Sequence, residues 1–269
     1  MTIASASMNV AGVELSVCSA GEGQPLLFLH SGPGPTYDSA PFLRLLGSDF
    51  RVSAPYHPGF GPQSRPQSFE TVDDVVYFYL DFVKEQGLAG VPVVAASFGG
   101  WIAAEMAIRD PSLFSHMVLI NPLGIRVGGP TERPIADLWA MSRDDRRRLQ
   151  FHNEAWQVED LSARSDEHLL ELARFEETLA RYAWKPFLHN PHLPKWLRRI
   201  DLPTLVIRGE EDRFVSPEIH AAFAEMIPNA SFQPVPNAGH HPHVEEPHVV
   251  ASLIREFLRR PESLQLRRK

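Results

Sequence analysis

The chain has 269 residues, of which 43% are hydrophobic and 22% charged, with a formal net charge of −7. That length suits one large α/β domain with room for an insertion, and the acidic balance gives no indication of a nucleic-acid or anionic-membrane partner. The single cysteine excludes an internal disulfide framework, and no stretch approaches the ~20 apolar residues of a membrane span. The N-terminus lacks a basic start and a long apolar run, so we expect no signal peptide and a cytoplasmic location.

The first half of the chain alternates predicted strands with predicted helices. An antiparallel hairpin is expected over residues 8–20 around Gly12, because apolar and polar residues alternate there. Continuous apolar or β-branched runs predict buried strands, and apolar residues at helical spacing predict helices. The predicted strands are 25–31, 51–55, 91–94 and 114–121, and the predicted helices are 39–47, 71–87 and 101–108.

The pattern changes after about Pro122. Residues 123–196 hold no convincing strand, but they contain two helical stretches, 142–151 and 166–183, and several aromatic side chains. Loops longer than ~15 residues without secondary structure are uncommon. This block is therefore predicted to be a helical cap inserted at one edge of a sheet.

Strands and helices alternate again after the predicted cap. The predicted strands there are 203–209 and 230–235, and the predicted helices are 218–226 and 249–259. Such alternation predicts an α/β fold, with a mostly parallel eight-stranded sheet wound by right-handed crossovers and flanked by helices. The predicted divisions are the first part of the core, the cap, the second part of the core and a flexible basic tail: 1–122, 123–196, 197–259 and 260–269.

A serine stands in the turn between a β-branched strand and a helix. The run Ala95-Ala96-Ser97-Phe98-Gly99 has small residues on both sides of Ser97. Small neighbours allow a sharp strand-to-helix turn that exposes the hydroxyl above the sheet, which is the geometry of a nucleophile elbow. The alternative is a helix N-cap serine followed by packing glycines.

A serine hydroxyl needs a base to take its proton, and the base needs an acid to orient it. Asp212 follows the predicted strand that ends at Gly209, and His240 follows the next strand. Both therefore lie at the carboxyl ends of parallel strands, where open α/β sheets place ligands. We predict Asp212 as the acid, in preference to Glu210 or Glu211, and His240 as the base.

These residues also have ordinary structural interpretations. Asp212 is one of three consecutive acids, which is typical of a loop or a cap, and the four histidines between 240 and 248 are typical of a solvated loop. A metal site is disfavoured, because no acidic ligands converge on these histidines in an obvious pattern and Pro242 interrupts them. Catalysis is favoured by the conjunction, since Ser, Asp and His each end a predicted strand in the expected order.

The Gly- and Pro-rich turn after the strand at 25–31 supplies the last component. Acyl transfer needs two backbone N–H donors for the developing oxyanion. We expect Phe98 and Gly32 to provide them, with Ser31 as the alternative to Gly32 and as a substrate contact, since prolines cannot donate. A tight turn that merely requires glycine is the structural alternative.

Together these motifs resemble the α/β-hydrolase superfamily over residues 8–259. The motifs are His30-Ser31-Gly32-Pro33-Gly34, Pro58-Gly59-Phe60-Gly61, Ala95-Ala96-Ser97-Phe98-Gly99-Gly100, Gly209-Glu210-Glu211-Asp212 and Gly239-His240. The resemblance implies a serine hydrolase with an inserted helical cap and a triad of Ser97, His240 and Asp212. Such an enzyme requires neither a cofactor nor a metal. It is a poor guide to the substrate, because this fold hosts many reactions.

Subfamily patterns narrow the resemblance. Haloalkane dehalogenases and epoxide hydrolases carry Asp at the elbow, so Ser97 argues against both. Prolyl iminopeptidases have a turn similar to residues 30–34, but with a larger cap and a longer chain. The C–C hydrolases of aromatic ring-cleavage products are similar around Ser97 and Asp212, yet they usually have Asn in place of Ala96 and Trp in place of His241.

We therefore expect a cytoplasmic hydrolase of a small or medium acyl substrate, with a carboxylic ester as the first choice and the C–C bond of a ring-cleavage product as the alternative. A ligand-binding sensor on the same scaffold, and a cofactor-free oxygenase or lyase that depends on His240, are the rival classes. From the predicted cap, Trp139, Trp156 and Trp184 are expected to contact the substrate. A homodimer stays open as the oligomeric state.

Overall fold

A computed structural model describes residues 2–129 and 131–259 of the chain. Within these residues the strands are β1 Ala4–Val10, β2 Val13–Ala20, β3 Gln24–Leu29, β4 Phe50–Pro55, β5 Val91–Ala96, β6 Phe114–Ile120, β7 Thr204–Gly209 and β8 Ala230–Val235. They form an eight-stranded sheet in the order β1-β2-β4-β3-β5-β6-β7-β8. β2 pairs antiparallel with β1 and with β4, and the remaining pairs are parallel, which confirms the mostly parallel eight-stranded sheet.

Helices cover both faces of this sheet. The described α-helices are α1 Ala40–Leu46, α2 Val72–Glu85, α3 Phe98–Arg109, α4 Arg143–Gln150, α5 Asp166–Ala183, α6 Leu193–Trp196, α7 Pro217–Met226, α8 Pro242–Glu245 and α9 Pro247–Arg259. Apolar side chains of α2, α3 and α7 belong to one core cluster, and those of α1 and α9 belong to a second. None of the helices among the described residues is both long enough and apolar enough to span a bilayer.

The central strands are buried on both sides, which explains their continuous apolar runs. In β3, Leu27 and Leu29 join the cluster under α2 and α3, whereas Leu26 and Phe28 join the cluster under α1 and α9. Successive side chains of a strand point to opposite faces, so a strand between two helical layers needs apolar residues at every position.

Two boundaries differ from the sequence prediction by three residues or more. β1 begins at Ala4 and not at residue 8. The sequence pattern missed its first residues because they lie exposed at the sheet edge and show no alternation of burial. α3 begins at Phe98, so the predicted start at Trp101 is wrong by three residues. The glycines at 99 and 100 concealed those helical positions, because glycine lowers helix propensity.

The segment between β6 and β7 holds α4, α5 and α6 together with short 3-10 turns. The predicted helices at 142–151 and 166–183 are confirmed as α4 and α5, whose N-caps Ser142 and Ser165 each accept a backbone N–H. Within this part of the described chain the β-structure is limited to isolated bridges, such as the one between Gly124 and His189. The division of the chain into domains stays a prediction, and the predicted tail at 260–269 lies outside the described residues.

Candidate active site

Ser97 occupies the sharp turn between β5 and α3. Its backbone has φ 51° and ψ −112°, a conformation that L-residues rarely adopt and that costs of the order of 1–3 kcal/mol. Close packing of the turn requires glycine at position 99, since a Cβ there would overlap the carbonyl oxygen of Leu29. The Ser97 N–H donates to Ile120 O at 2.9 Å, which ties the turn to the end of β6.

Ser97, His240 and Asp212 form a continuous hydrogen-bonded chain. His240 Nε2 lies 2.8 Å from Ser97 Oγ, and His240 Nδ1 lies 2.8 Å from Asp212 Oδ2. All three residues are buried. An ionised Asp212 can only accept, so His240 carries its proton on Nδ1 and its Nε2 accepts from the serine hydroxyl, as a general base must.

Asp212 is held by further donors besides His240. Its Oδ1 accepts the N–H groups of Phe214 at 2.9 Å and Val215 at 3.0 Å, and its Oδ2 accepts from Asn121 Nδ2 at 2.7 Å. Burial alone would raise the pKa of Asp212, but the charge and hydrogen bond of His240 outweigh it and hold that pKa below its ordinary value. Asp212 therefore stays ionised at neutral pH and can stabilise a protonated imidazole.

Glu210, Glu211 and His248 are placed differently from the catalytic candidates. Glu210 and Glu211 are exposed, so Asp212 is the acid of this run that reaches His240. His248 is exposed as well. Among residues 2–129 and 131–259, no group of three or more His, Cys, Asp or Glu side chains is arranged to hold a metal ion.

The turn over residues 31–34, hereafter the oxyanion turn, lies beside the nucleophile. Ser31, Gly32 and Phe98 line the same cavity as Ser97. Phe98 is the first residue of α3, so its N–H has no acceptor within the helix. Gly32 has φ 61°, in the left-handed region that glycine adopts without strain. The structure thus brings both predicted oxyanion donors to the cavity.

Two buried histidines and a tyrosine support the oxyanion turn from behind. The His57 N–H donates to His30 Nε2 at 3.0 Å, so the His30 proton is on Nδ1, which lies 3.1 Å from Ser31 O. His57 Nε2 donates to His30 O at 2.9 Å, and its Nδ1 then accepts from the Tyr79 hydroxyl at 2.7 Å. Burial lowers the pKa of His57 to about 4, so the ring is neutral at pH 7.

Sequence reasoning left His57 and Tyr79 without a role. The available signal was the position of His57 after β4, at the carboxyl edge of the sheet where the other site residues gather. Tyr79 gave no such signal, because a tyrosine inside an amphipathic helix is ordinarily a core residue.

The chain matches a known family over most of its length. Residues 26–253 match the sequence model of the alpha/beta hydrolase family. The chain belongs to that family. Its eight-stranded sheet, its elbow serine and the order Ser97, Asp212, His240 along the chain are those expected of the fold.

Relatives of this α/β-hydrolase include two hydrolases of ring-cleavage products. The 2-hydroxy-6-oxo-6-(2'-aminophenyl)hexa-2,4-dienoic acid hydrolase of Metapseudomonas resinovorans is 26% identical, covering 94% of this chain and 90% of that protein. The 2-hydroxymuconate semialdehyde hydrolase of Pseudomonas putida is 28% identical over 94% of both chains. Among solved structures, a serine hydrolase involved in carbazole degradation shares the fold, with a TM-score of 0.77, 22% identity and coverage of 96% and 99%.

The cavity of this α/β-hydrolase is lined by both apolar and charged side chains. The apolar lining comes from both the core and the segment between β6 and β7, and consists of Phe98, Leu123, Leu138, Phe151, Phe175, Leu179, Phe214 and Val244. The polar lining comes mainly from α4 and from the residues that follow the oxyanion turn, and includes Tyr37, Asp38, Arg143, Arg146, Arg147 and Glu176. The cavity therefore offers contacts to apolar groups and to polar groups of a ligand.

The charged lining residues belong to an ion-pair network that also includes Glu159. Glu159 accepts from the Tyr37 hydroxyl at 2.8 Å and from Arg143 at 2.6 Å, and Arg146 pairs with Glu176 at 2.7 Å. Burial opposes ionisation of Glu159, but the hydrogen bonds from Arg143 and Tyr37 hold its pKa below the ordinary value. The helix at 142–151 was predicted from sequence, whereas the orientation of its arginines toward the site was not.

The three tryptophans expected to contact the substrate do not line the cavity that holds Ser97. Trp139 packs edge-on against Trp184 and Phe187, with ring centroids 5.0 Å and 5.2 Å away, and Trp184 is 56% exposed. Trp156 stacks behind Phe151, at 6.0 Å between ring centroids, and Phe151 is the residue that lines the cavity. The tryptophans thus pack against neighbouring aromatic rings.

Proposed function

We propose that the protein is a serine-dependent hydrolase that cleaves the C–C bond beside a ketone in an acidic ring-cleavage product. The observation that carries the proposal is the hydrogen-bonded chain from Ser97 through His240 to Asp212, with both links at 2.8 Å. This arrangement supplies a nucleophile, a base in the required tautomer and an acid that keeps the base oriented.

The proposed reaction follows from these three roles. Ser97 Oγ attacks the ketone carbon while His240 Nε2 takes the hydroxyl proton, and the oxyanion is held by the N–H groups of Phe98 and Gly32. The C–C bond then breaks, its electron pair goes to the leaving carbon, and protonated His240 returns the proton there. Water, deprotonated by His240, finally attacks the acyl carbon, the bond to Ser97 Oγ breaks as His240 returns that proton to it, and the acyl group leaves as a carboxylic acid.

The choice of bond rests on the relatives and on the cavity. The relative from M. resinovorans acts, by its name, on a dienoic acid that carries an aminophenyl ketone. A substrate of that kind has an aromatic end and a carboxylate end, and the cavity lining includes both apolar side chains and arginines. Charge-assisted hydrogen bonds from arginine to a carboxylate are among the stronger polar contacts in proteins.

Carboxylic ester hydrolysis is the second candidate. It is favoured by two departures from the C–C hydrolase pattern, Ala96 before the nucleophile and His241 after the catalytic histidine. The same triad would serve either reaction, since both begin with attack of Ser97 on a carbonyl carbon.

The experiment compares wild type and Ser97→Ala on two substrates, a 2-hydroxy-6-oxo-6-phenylhexa-2,4-dienoate and p-nitrophenyl butyrate. We expect Ser97→Ala to fold normally and to lose turnover of both by about a thousandfold or more. A higher kcat/KM for the dienoate supports the C–C reaction, whereas turnover of the ester alone supports an esterase.

Labelling with a serine-directed fluorophosphonate, followed by peptide mapping, tests the nucleophile independently of the substrate. Label on Ser97 without turnover of either substrate would favour the ligand-binding sensor. A folded Ser97→Ala variant that keeps turnover would overturn the serine mechanism, and dependence on His240 alone would favour the cofactor-free oxygenase or lyase.

A further inference from the structure

Beside the triad, two further histidines contact the hydroxyl of Ser31. Ser31 Oγ lies 3.4 Å from His241 Nδ1 and 3.4 Å from His243 Nε2. Ser31 belongs to the oxyanion turn, and His241 directly follows the triad base, with 4.9 Å between the ring centroids of His240 and His241. The three side chains therefore bridge the catalytic histidine and the oxyanion turn. Contacts of this length are common in unliganded sites and shorten when substrate binds.

The surroundings of His243 fix the positions of the protons. Burial lowers the pKa of His243 to about 3 and that of His241 well below its ordinary value, so both rings are neutral at pH 7. His243 Nδ1 is buried and has no hydrogen-bond partner. An orphaned buried N–H is rarer than an under-used acceptor, so the His243 proton belongs on Nε2, where it is donated to Ser31 Oγ.

The Ser31 hydroxyl in turn donates a hydrogen bond to His241. Because Ser31 Oγ accepts from His243, its own O–H is available to His241 Nδ1. His241 Nδ1 is thereby an acceptor, and the single proton of the neutral ring lies on Nε2. The relay runs from His243 through Ser31 to His241 and leaves one N–H at its end.

That terminal N–H belongs to a ring that lines the cavity. His241 lines the cavity with Ser97, and its Nε2 has no hydrogen-bond partner among the described residues. Nε2 is not fully enclosed by protein atoms. A donor in this position can reach a substrate held against Ser97.

We propose that His241 donates its Nε2–H to an oxygen of the substrate close to the carbonyl that Ser97 attacks, and that Ser31 and His243 hold the ring in the tautomer that does so. The site would thus select acyl substrates that carry a ketone, enol or carboxylate oxygen near the scissile bond. His241 is in this scheme a substrate-binding residue, while Ser31 and His243 are positioning residues. The inference rests on the proposed function, since it requires attack by Ser97.

The test uses two matched pairs of esters that differ by one ketone oxygen on either side of the scissile bond. The first pair is p-nitrophenyl pentanoate and p-nitrophenyl 4-oxopentanoate, and the second is butyl butyrate and 2-oxobutyl butyrate. His241→Phe removes the donor and keeps a planar ring, whereas His241→Gln keeps an N–H at a similar distance from the backbone. His248→Phe is the matched control, because His248 is exposed.

In at least one pair, we expect His241→Phe to lower kcat/KM for the keto ester about tenfold more than for the plain ester, the effect of one unmade hydrogen bond. His241→Gln should restore most of the difference, and Ser31→Ala and His243→Phe should each reduce the preference for the keto ester. His248→Phe should leave that preference at the wild-type level.

Equal losses on keto and plain esters in both pairs would overturn the inference and assign His241 a structural role. If circular dichroism shows that His241→Phe does not fold, His241→Gln and Ser31→Ala are compared instead. Retained preference for the keto ester in His241→Gln and reduced preference in Ser31→Ala would support the inference, whereas equal preference in both variants and wild type would overturn it. Ser97-dependent turnover with unaltered selectivity removes only the His241 inference. Absence of both turnover and fluorophosphonate labelling of Ser97 removes the proposed function and the inference together.

Discussion

At the scale of single residues, Asn121 connects the ends of two strands to the triad. Its Nδ2 donates to Asp212 Oδ2 at 2.7 Å, and its Oδ1 accepts the Gly209 N–H at 3.0 Å. The residue has φ 43°, a left-handed conformation that asparagine tolerates better than most side chains. Its amide thus provides an uncharged hydrogen-bond donor beside Asp212.

Asn121→Asp changes that one donor into an acceptor with almost no change of shape. The new carboxylate can still accept from the Gly209 N–H, but its second oxygen would face an oxygen of Asp212. Because two carboxylates in contact repel, one of them must take up a proton, or Asp212 must turn away from His240. We expect kcat at pH 7 to fall about tenfold or more, with KM little altered. Steady-state kinetics on a folded variant measures this, and an unaltered kcat would mean that the Asn121 amide does not orient Asp212.

The sequence predicted the placement of some of these residues and not of others. Ser97 and Asp212 each follow a strand whose apolar run is visible in the sequence, His240 follows the next predicted strand, and the parallel topology then brings them to one edge. The hydrogen bonds of Asn121 and of the His243–Ser31–His241 relay depend on side-chain directions between segments far apart in the chain. No local pattern encodes such directions, so the sequence alone could not assign them.

At the scale of elements, the end of α4 is bonded to both loops that carry triad residues. The N–H of His240 donates to Gln150 O at 2.6 Å, and the N–H of Arg213 donates to Leu149 O at 3.2 Å. A Cβ at position 239 would overlap the Gln150 carbonyl, so the glycine there permits the close approach. The segment after β6 therefore takes part in holding the proposed triad.

Glu245 on α8 adds a second connection between the same elements. Its Oε1 accepts the N–H groups of His152 at 2.8 Å and Asn153 at 2.7 Å, and its Oε2 accepts the Gly239 N–H at 2.7 Å. One carboxylate thus joins the chain just after α4 to the loop that carries His240. The connection spans 93 residues of sequence, which is why helix and strand patterns could not predict it.

Glu245→Ala should loosen the catalytic histidine without touching the cavity. Three backbone N–H groups lose their acceptor, so we expect kcat to fall about tenfold and hydrogen exchange at Gly239 and Asn153 to accelerate. The control is Glu246→Ala, the adjacent acid. Equal exchange rates at both amides in wild type and Glu245→Ala would contradict this role.

At the scale of the whole molecule, several histidines are buried as neutral rings. Burial is the main cause that lowers the pKa of His57 to about 4 and of His220 and His243 to about 3. In the unfolded chain each would titrate near 6.5. Between these values the unfolded state binds more protons than the folded state, so the free energy of unfolding must fall as the pH falls.

Urea unfolding at pH 8 and pH 5 tests this expectation. Each such histidine should lower the free energy of unfolding by about 2 kcal/mol at pH 5. Asp38 and Glu245 act weakly in the opposite direction, because burial raises their pKa and the folded state protonates them first. In His220→Leu, the difference in unfolding free energy between pH 8 and pH 5 should be smaller by about 2 kcal/mol, the contribution of one such histidine. The same free energy at both pH values would refute the expectation.

The contact between Gln150 and His240 has a consequence for building chimaeric hydrolases. Exchanging the segment between β6 and β7 for that of another α/β-hydrolase treats it as a self-contained module joined only at its two ends. Here the donor segment would also have to present a carbonyl where Gln150 presents one, at hydrogen-bond distance from the His240 amide. Grafts that exchange α5 and α6 but retain the native chain through residue 153 respect this junction, because the catalytic loops are assembled against it.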